Sequence, residues 1–286
     1  MPKLRVDDFD LHYEEAGSGP PLLLLHGLGA SLEDWEHQIP AFAEHFRVIA
    51  PDLRGFGHSG SGRRRVGVAR YAADVKALMD ALDIHGCRLV GHSMGGAISL
   101  QLTLDHPSRI ERLVIANSVP SFKPQSARHY IEFLYRLVVM GMLGPARLAE
   151  IGAQRMFPDP ADALQRRKLI ERGRRNSRGI YLGALASLGR WSVLERLHEL
   201  QMPVLVAASQ HDYFGHAETV RFAHALPRGR LHWFKGAHHG LPMEQPAAFN
   251  QVVLNFLTGP LPRLRRTSHS AQPASMPDFG PGAQSE

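Results

Sequence analysis

A single cysteine, Cys87, excludes any disulfide within the 286-residue chain, and its place at the start of an apolar run marks it as core filler, not a reactive thiol. Long hydrophobic runs are also missing. Leu22–Leu25 is continuously apolar, but a bilayer span needs about 20 such residues. Met1 to Asp8 holds no apolar signal core. These absences argue against stable membrane insertion and make a cytoplasmic location the expectation. No His-Glu-x-x-His and no paired cysteine spacing occurs, so neither a metal nor another cofactor is expected. No period of about 20 to 50 residues is present, which excludes a solenoid or a propeller. The formal net charge is +6, yet the arginines fall in separate places, Arg63 to Arg65, Arg166 to Arg178 and Arg263 to Arg266. They are not interleaved with aromatics, so they read as solvated surface, and no nucleic acid is expected as a partner.

What the chain does have is 44% hydrophobic residues, enough for one large α/β domain carrying an insertion. Leu4 to Val6 and Asp10 to Glu14 alternate about an acidic turn, the pattern of an opening antiparallel hairpin. Leu22–Leu25, Arg47 to Ala50, the run ending at Val90, Ile110 to Ala116, Pro203 to Ala208 and Gly229 to Phe234 read as strands. Between them, Val75, Leu78, Met79 and Leu82 repeat at three and four, as on a helix laid across a sheet. A last helix is expected over roughly 246–257. Alternating strands and helices imply a mostly parallel, doubly wound sheet, with ligands bound outside the carboxyl ends of the strands.

From about Ser118 to Leu200 the strand rhythm stops and the chain becomes helical. Residues 118–200 are therefore read as an inserted helical cap that divides the core into 1–117 and 201–259. Ile131, Phe133, Leu134, Tyr135, Leu137, Val138 and Val139 are too apolar all round for a simple surface helix, so some are expected to face a substrate cavity. Residues 260–286 turn to Pro, Ser, Gln, Ala and Gly, the composition of a disordered tail.

The chemistry centres on Gly91-His92-Ser93-Met94-Gly95, which joins a strand to a helix. On so tight a turn the serine neighbours must be small, and the Ser93 hydroxyl stands clear of the sheet as a nucleophile. The Met94 N–H opens the following helix and can point at a substrate oxygen. A serine hydroxyl is a poor nucleophile at neutral pH and needs a base, which needs an orienting carboxylate. Asp212 follows the strand ending near Ala208, and His238 and His239 follow the next one. No carboxylate lies between Asn117 and Tyr130, so Asp212 stands nearly alone as the acid. His92 reads as a packed elbow residue and His26 as a support for the loop His26-Gly27-Leu28-Gly29.

With these marks in place, and with Asp52-Leu53-Arg54-Gly55-Phe56-Gly57-His58-Ser59, residues 1 to 258 resemble the α/β-hydrolase fold family, in particular its capped, esterase-like and lactonase-like members. In relatives the histidine usually stands five residues before the Glu of a Glu-Gln-Pro sequence. Glu244-Gln245-Pro246 thus selects His239, although His238 occupies a place that relatives give to a small residue. Ser209 also departs from a common glycine. The resemblance implies that Ser93 is the nucleophile, His239 the base and Asp212 its orienter, with the N–H groups of Leu28 and Met94 as the oxyanion hole and Gly27 leaving room at that turn. It implies a hydrolase of a small to medium, largely apolar ester or lactone. The alternatives are a C–C bond hydrolase or cofactorless perhydrolase on the same three residues, a non-catalytic ligand-binding protein, and a membrane-associated lipase. Dehalogenases and epoxide hydrolases of this fold carry Asp at the elbow, so serine argues against them.

Overall fold

The computed structural model describes residues 3–63 and 65–260. The tail expectation for 260–286 therefore lies outside the described residues, Pro260 apart. Eight strands form one sheet in the order β1-β2-β4-β3-β5-β6-β7-β8. They are β1 (Lys3–Val6), β2 (Phe9–Ala16), β3 (Pro21–Leu25), β4 (Arg47–Pro51), β5 (Cys87–His92), β6 (Ile110–Ala116), β7 (Val204–Ser209) and β8 (Gly229–Phe234). The opening hairpin is antiparallel and β2 pairs antiparallel to β4, while every pairing from β3 to β8 is parallel. The sheet is thus mostly parallel and doubly wound.

Ten α-helices accompany it among the described residues: α1 (Gln38–Ala43), α2 (Val68–Ala81), α3 (Met94–Asp105), α4 (Ala127–Val138), α5 (Gly144–Met156), α6 (Ala163–Arg174), α7 (Arg178–Leu188), α8 (His216–Ala225), α9 (Leu241–Glu244) and α10 (Pro246–Thr258). None is long and apolar enough to cross a membrane. A leucine run makes a strand here because both faces are covered. Leu22 and Leu24 pack with Phe42 of α1 and Phe249, Val253 and Phe256 of α10. Leu23 and Leu25 pack on the other side with Val75 and Leu78 of α2 and Ile98 of α3. All four leucines are fully buried, each worth roughly 1.5–3 kcal/mol of apolar transfer.

Chain order sets the position of the site. From β3 the chain crosses to β4 on one side and then returns to place β5 on the other. That reversal brings the carboxyl ends of β3 and β5 together, with Leu25 paired to Gly91. The loops that follow these strands meet at the crevice where such sheets bind ligands. Between β6 and β7 there is no further strand of the sheet but the four helices α4–α7, with a five-residue π-helical turn, Val139–Leu143, joining α4 to α5. The two connections to this segment run side by side: Ser121 bridges Ser192, and the Val193 N–H donates to Pro120 O at 2.8 Å. Of the apolar residues on α4, Ile131, Phe133 and Tyr135 line a cavity, yet Ile131, Leu134 and Val138 are 67%, 59% and 46% exposed; Val139, in the turn that follows, is buried. α4 lies between cavity and solvent, so a helix apolar all round has to leave part of its surface uncovered.

Candidate active site

Ser93 sits at the turn between β5 and α3 with φ 53° and ψ −117°, a conformation that costs an L residue on the order of 1–3 kcal/mol. Its surroundings hold it there. The Ser93 N–H donates to Ala116 O at 3.0 Å, and Ser93 O accepts from the Gly96 N–H at 2.9 Å and the Ser118 hydroxyl at 2.7 Å. A Cβ on Gly91 would stand 2.4 Å from Gly95 O, and one on Gly95 would stand 2.0 Å from Leu25 O. Both glycines are therefore dictated by the close approach of the turn to itself and to β3.

Three sequence-selected side chains come together at this edge. The His239 Nδ1 lies 2.6 Å from Asp212 Oδ1, and its Nε2 lies 3.0 Å from Ser93 Oγ. An ionised carboxylate only accepts, so Nδ1 carries the proton and Nε2 offers its lone pair to the serine hydroxyl. His239 and Asp212 side chains are 8% and 5% exposed, which removes most of the water that would compete for these bonds. His238 turns away instead, pairing its Nδ1 and its backbone N–H with Glu244 at 2.7 and 2.6 Å. The Glu of Glu-Gln-Pro thus engages the first histidine and leaves the second to the serine.

The supporting residues follow the same logic. The His26 Nδ1–H donates to Gly27 O at 2.8 Å, so its Nε2 accepts from the Leu53 N–H at 3.0 Å. Burial pulls its pKa down and keeps this neutral tautomer. The ring fastens the loop after β3 to the loop after β4. Asp52 organises the latter by accepting from the backbone N–H groups of Leu32 and His58, each at 2.8 Å. Gly57, at φ 53°, passes so close that a Cβ would meet the Asp52 carboxyl at 2.2 Å. His92 donates from Nε2 to His239 O at 2.8 Å, and burial, aided by the neighbouring His239, pushes its pKa down to about 3. It is a neutral anchor for the histidine loop, not an acid or base. A Cβ on Gly27 would lie 3.3 Å from Ser93 Cβ and 3.4 Å from the His92 ring, so the backbone of Gly27 and Leu28 runs directly over the serine. The Met94 N–H belongs to the first turn of α3, which has no partner inside the helix.

Several participants carry no mark in the sequence reading. Asn117, at φ 42°, accepts from the Ser209 N–H at 3.0 Å and donates from Nδ2 to Ser209 Oγ at 2.9 Å and to the carbonyls of His238 and His239 at 3.0 Å. The Tyr213 ring stacks on His239 with centroids 4.3 Å apart, and the Arg136 guanidinium lies 5.3 Å from the Tyr213 centroid. Only the adjacency of Tyr213 to Asp212 could have pointed to it. Asp34 is buried against Arg172 of α6 at 3.0 Å, and burial raises its pKa to about 6 while Arg172 pulls it back.

The serine opens on a cavity of about 540 Å³. Leu28, His92, Ser93, Phe214 and His239 floor it, while Phe133, Met140, Leu148, Tyr181 and Leu185 of the four-helix segment roof it. No group of three His, Cys, Asp or Glu side chains among the described residues is arranged to hold a metal ion.

A family model described as the alpha/beta hydrolase fold matches residues 20–246. A protein of Agrobacterium fabrum provisionally named carbamate hydrolase RutD is 31% identical over 260 residues, covering 87% of this chain and 97% of its own. Among solved structures, the enol-lactonase from Burkholderia xenovorans LB400 superposes with a TM-score of 0.82 at 27% identity, covering 90% of this chain and 100% of that one. Est816, described as an N-acyl homoserine lactone degrading enzyme, gives 0.74 at 26% identity, covering 89% of this chain and 100% of its own. With most of its length inside the family match and a relative 31% identical over nearly all of both chains, the chain belongs to the alpha/beta hydrolase fold family.

Proposed function

We propose that this hydrolase cleaves a small to medium, largely apolar ester or lactone through an acyl-enzyme, with Ser93 as nucleophile, His239 as general base and acid, and Asp212 as its orienter. The observation that carries the reading is the unbroken chain of hydrogen bonds from Asp212 through His239 to Ser93, ending at the mouth of an apolar cavity. The Ser93 oxygen attacks the acyl carbon as His239 Nε2 takes its proton. The negative charge on the carbonyl oxygen is held by the backbone N–H groups of Leu28 and Met94, each worth on the order of 3 kcal/mol in the transition state. Collapse breaks the bond to the alcohol oxygen, which takes the proton from His239. A water molecule then repeats the sequence and frees the acid. Residues 118–200 serve as a cap on a core made of 1–117 and 201–259, closing the cavity against water.

The lactone arm is favoured by the likeness to an enol-lactonase and to an acyl-homoserine-lactone-degrading enzyme. The provisional name of the Agrobacterium relative favours a second reading, in which the same serine attacks a carbamate carbon. Initial rates on p-nitrophenyl esters of increasing acyl length, on a lactone and on a carbamate, wild type beside Ser93→Ala, separate these. Ser93→Ala is expected to lose at least about 10⁴-fold in kcat on whichever class is turned over. Turnover that survives in the folded variant contradicts the serine mechanism.

A further inference from the structure

The lining of the cavity is mainly apolar; its charged groups are Asp34, Lys123, Glu132, Arg136, Arg155 and Glu218, of which Glu132, Arg136 and Arg155 stand together. Glu132 accepts from Arg136 Nε at 2.9 Å and from Arg155 Nη1 at 3.0 and 3.1 Å. Two guanidinium groups therefore share one carboxylate, and one positive charge is left uncompensated. Arg136 is the inner of the two, 25% exposed against 44% for Arg155. Its other hydrogen bond is a long one, 3.5 Å from Nη1 to the Tyr181 hydroxyl, so three of its five N–H donors are left to the cavity. Of the other acids of the lining, Asp34 pairs with Arg172 at 3.0 Å, and Glu218 feels the charges of His129 and Arg221. A cation largely removed from water with an open fork calls for an anion, and guanidinium geometry suits a carboxylate.

Position says where that anion belongs. The guanidinium lies over one face of the neighbourhood of Tyr213, 5.3 Å from its centroid, and Tyr213 stacks at 4.3 Å on the His239 ring that faces Ser93. The cation is thus two ring contacts from the reacting atoms, a separation that a short carbon chain spans. We infer that Arg136 is an anion subsite, and that the substrate is an ester or lactone bearing a carboxylate a few carbons from the scissile carbonyl. The inference rests on the hydrolase reading above and narrows it: an apolar body fills the cavity and one charged end meets Arg136.

The test compares kcat/KM for monoethyl adipate and for ethyl hexanoate, its neutral counterpart, by pH-stat titration in the wild type, Arg136→Gln and Arg136→Lys. A second pair, butyryl glycolate and ethyl butyrate, moves the carboxylate to the alcohol side. The wild type is expected to favour the anionic ester of at least one pair. In Arg136→Gln that anionic-to-neutral ratio should fall by about 10- to 100-fold, chiefly through KM, with partial retention in Arg136→Lys. The responsive pair identifies the side of the bond on which the charge sits. A wild type that favours the neutral ester in both pairs, or a ratio untouched by Arg136→Gln, overturns the subsite. If none of the three enzyme forms hydrolyses any of these esters, it is the ester arm of the proposed function that has failed. Calorimetric titration with adipate then decides the subsite alone: binding that weakens at least tenfold in folded Arg136→Gln supports it, and absent or unchanged binding overturns it.

Discussion

Asn117 ties the end of β6 to the end of β7 and to the loop that carries His239, all through one amide. It touches none of the side chains of Ser93, His239 and Asp212, so under the proposed mechanism its role is positioning, and its loss should act on kcat rather than KM. Asn117→Ala removes a donor shared by the His238 and His239 carbonyls and leaves the buried Ser209 N–H without its acceptor. The expected outcome is a kcat lowered about 10- to 100-fold with KM within about twofold, since small displacements of a base are costly. Steady-state kinetics on the ester preferred by the wild type checks it, and a variant whose KM rises instead would mean that Asn117 binds substrate. The residue was invisible in the sequence for a physical reason. An Asn after a strand is common turn chemistry, and neither its positive φ nor its three partner residues, up to 122 positions away, leave any local pattern.

Among elements, the contact of α6 with the short turn Leu32–Trp35 is the most strongly charged. Lys168 meets Glu36 at 2.9 Å, Arg172 meets Glu33 and Asp34 at 2.9 and 3.0 Å, and Arg175 meets Glu33 at 2.8 Å. Just beyond α6, Asn176 donates to Gly29 O at 2.7 Å, so the helical segment is pinned beside the loop that supplies the Leu28 N–H. Within this contact Asp34 has its pKa raised from 3.8 to about 6 by burial, against the pull of Arg172. The folded chain therefore holds this proton more tightly than the unfolded chain. Stability from this group is highest below about pH 4 and declines as pH rises to about 6, by on the order of 3 kcal/mol. Asp34→Asn should abolish that slope while leaving Glu33 and Glu36 to hold Arg172. Urea denaturation of both proteins at half-unit steps from pH 4 to pH 7 measures it, and parallel curves would refute the assignment. The arginines that the sequence presents as solvated surface thus include Arg172 of α6 and Arg175 just after it, whose partners lie 138 and 142 positions away.

The molecule as a whole has two cores with different duties. One, under α1 and α10, is closed and contains Trp35, Phe42, Phe234 and Phe249. The other, under α2, α3 and α8, continues into Met140, Leu148, Tyr181 and Trp191 of the four-helix segment and so forms one wall system with the cavity. Truncation in the closed core should cost stability without altering binding: Phe249→Ala, fully buried, is expected to lose about 3–5 kcal/mol with KM within about twofold. Chemical denaturation and kinetics on one preparation check both halves. Sequence by itself determined the sheet, because strands buried on both faces must be continuously apolar and crossing helices must repeat at three and four; β6 and β8 match the ranges read from it residue for residue. It also determined the elbow, since only glycine tolerates the 2.4 and 2.0 Å approaches at Gly91 and Gly95. Tertiary structure alone decided what Asn117 and Asp34 contact, and which faces of α4 turn to the cavity. Those outcomes depend on side chains far apart along the chain, and local patterning holds no information about such distances.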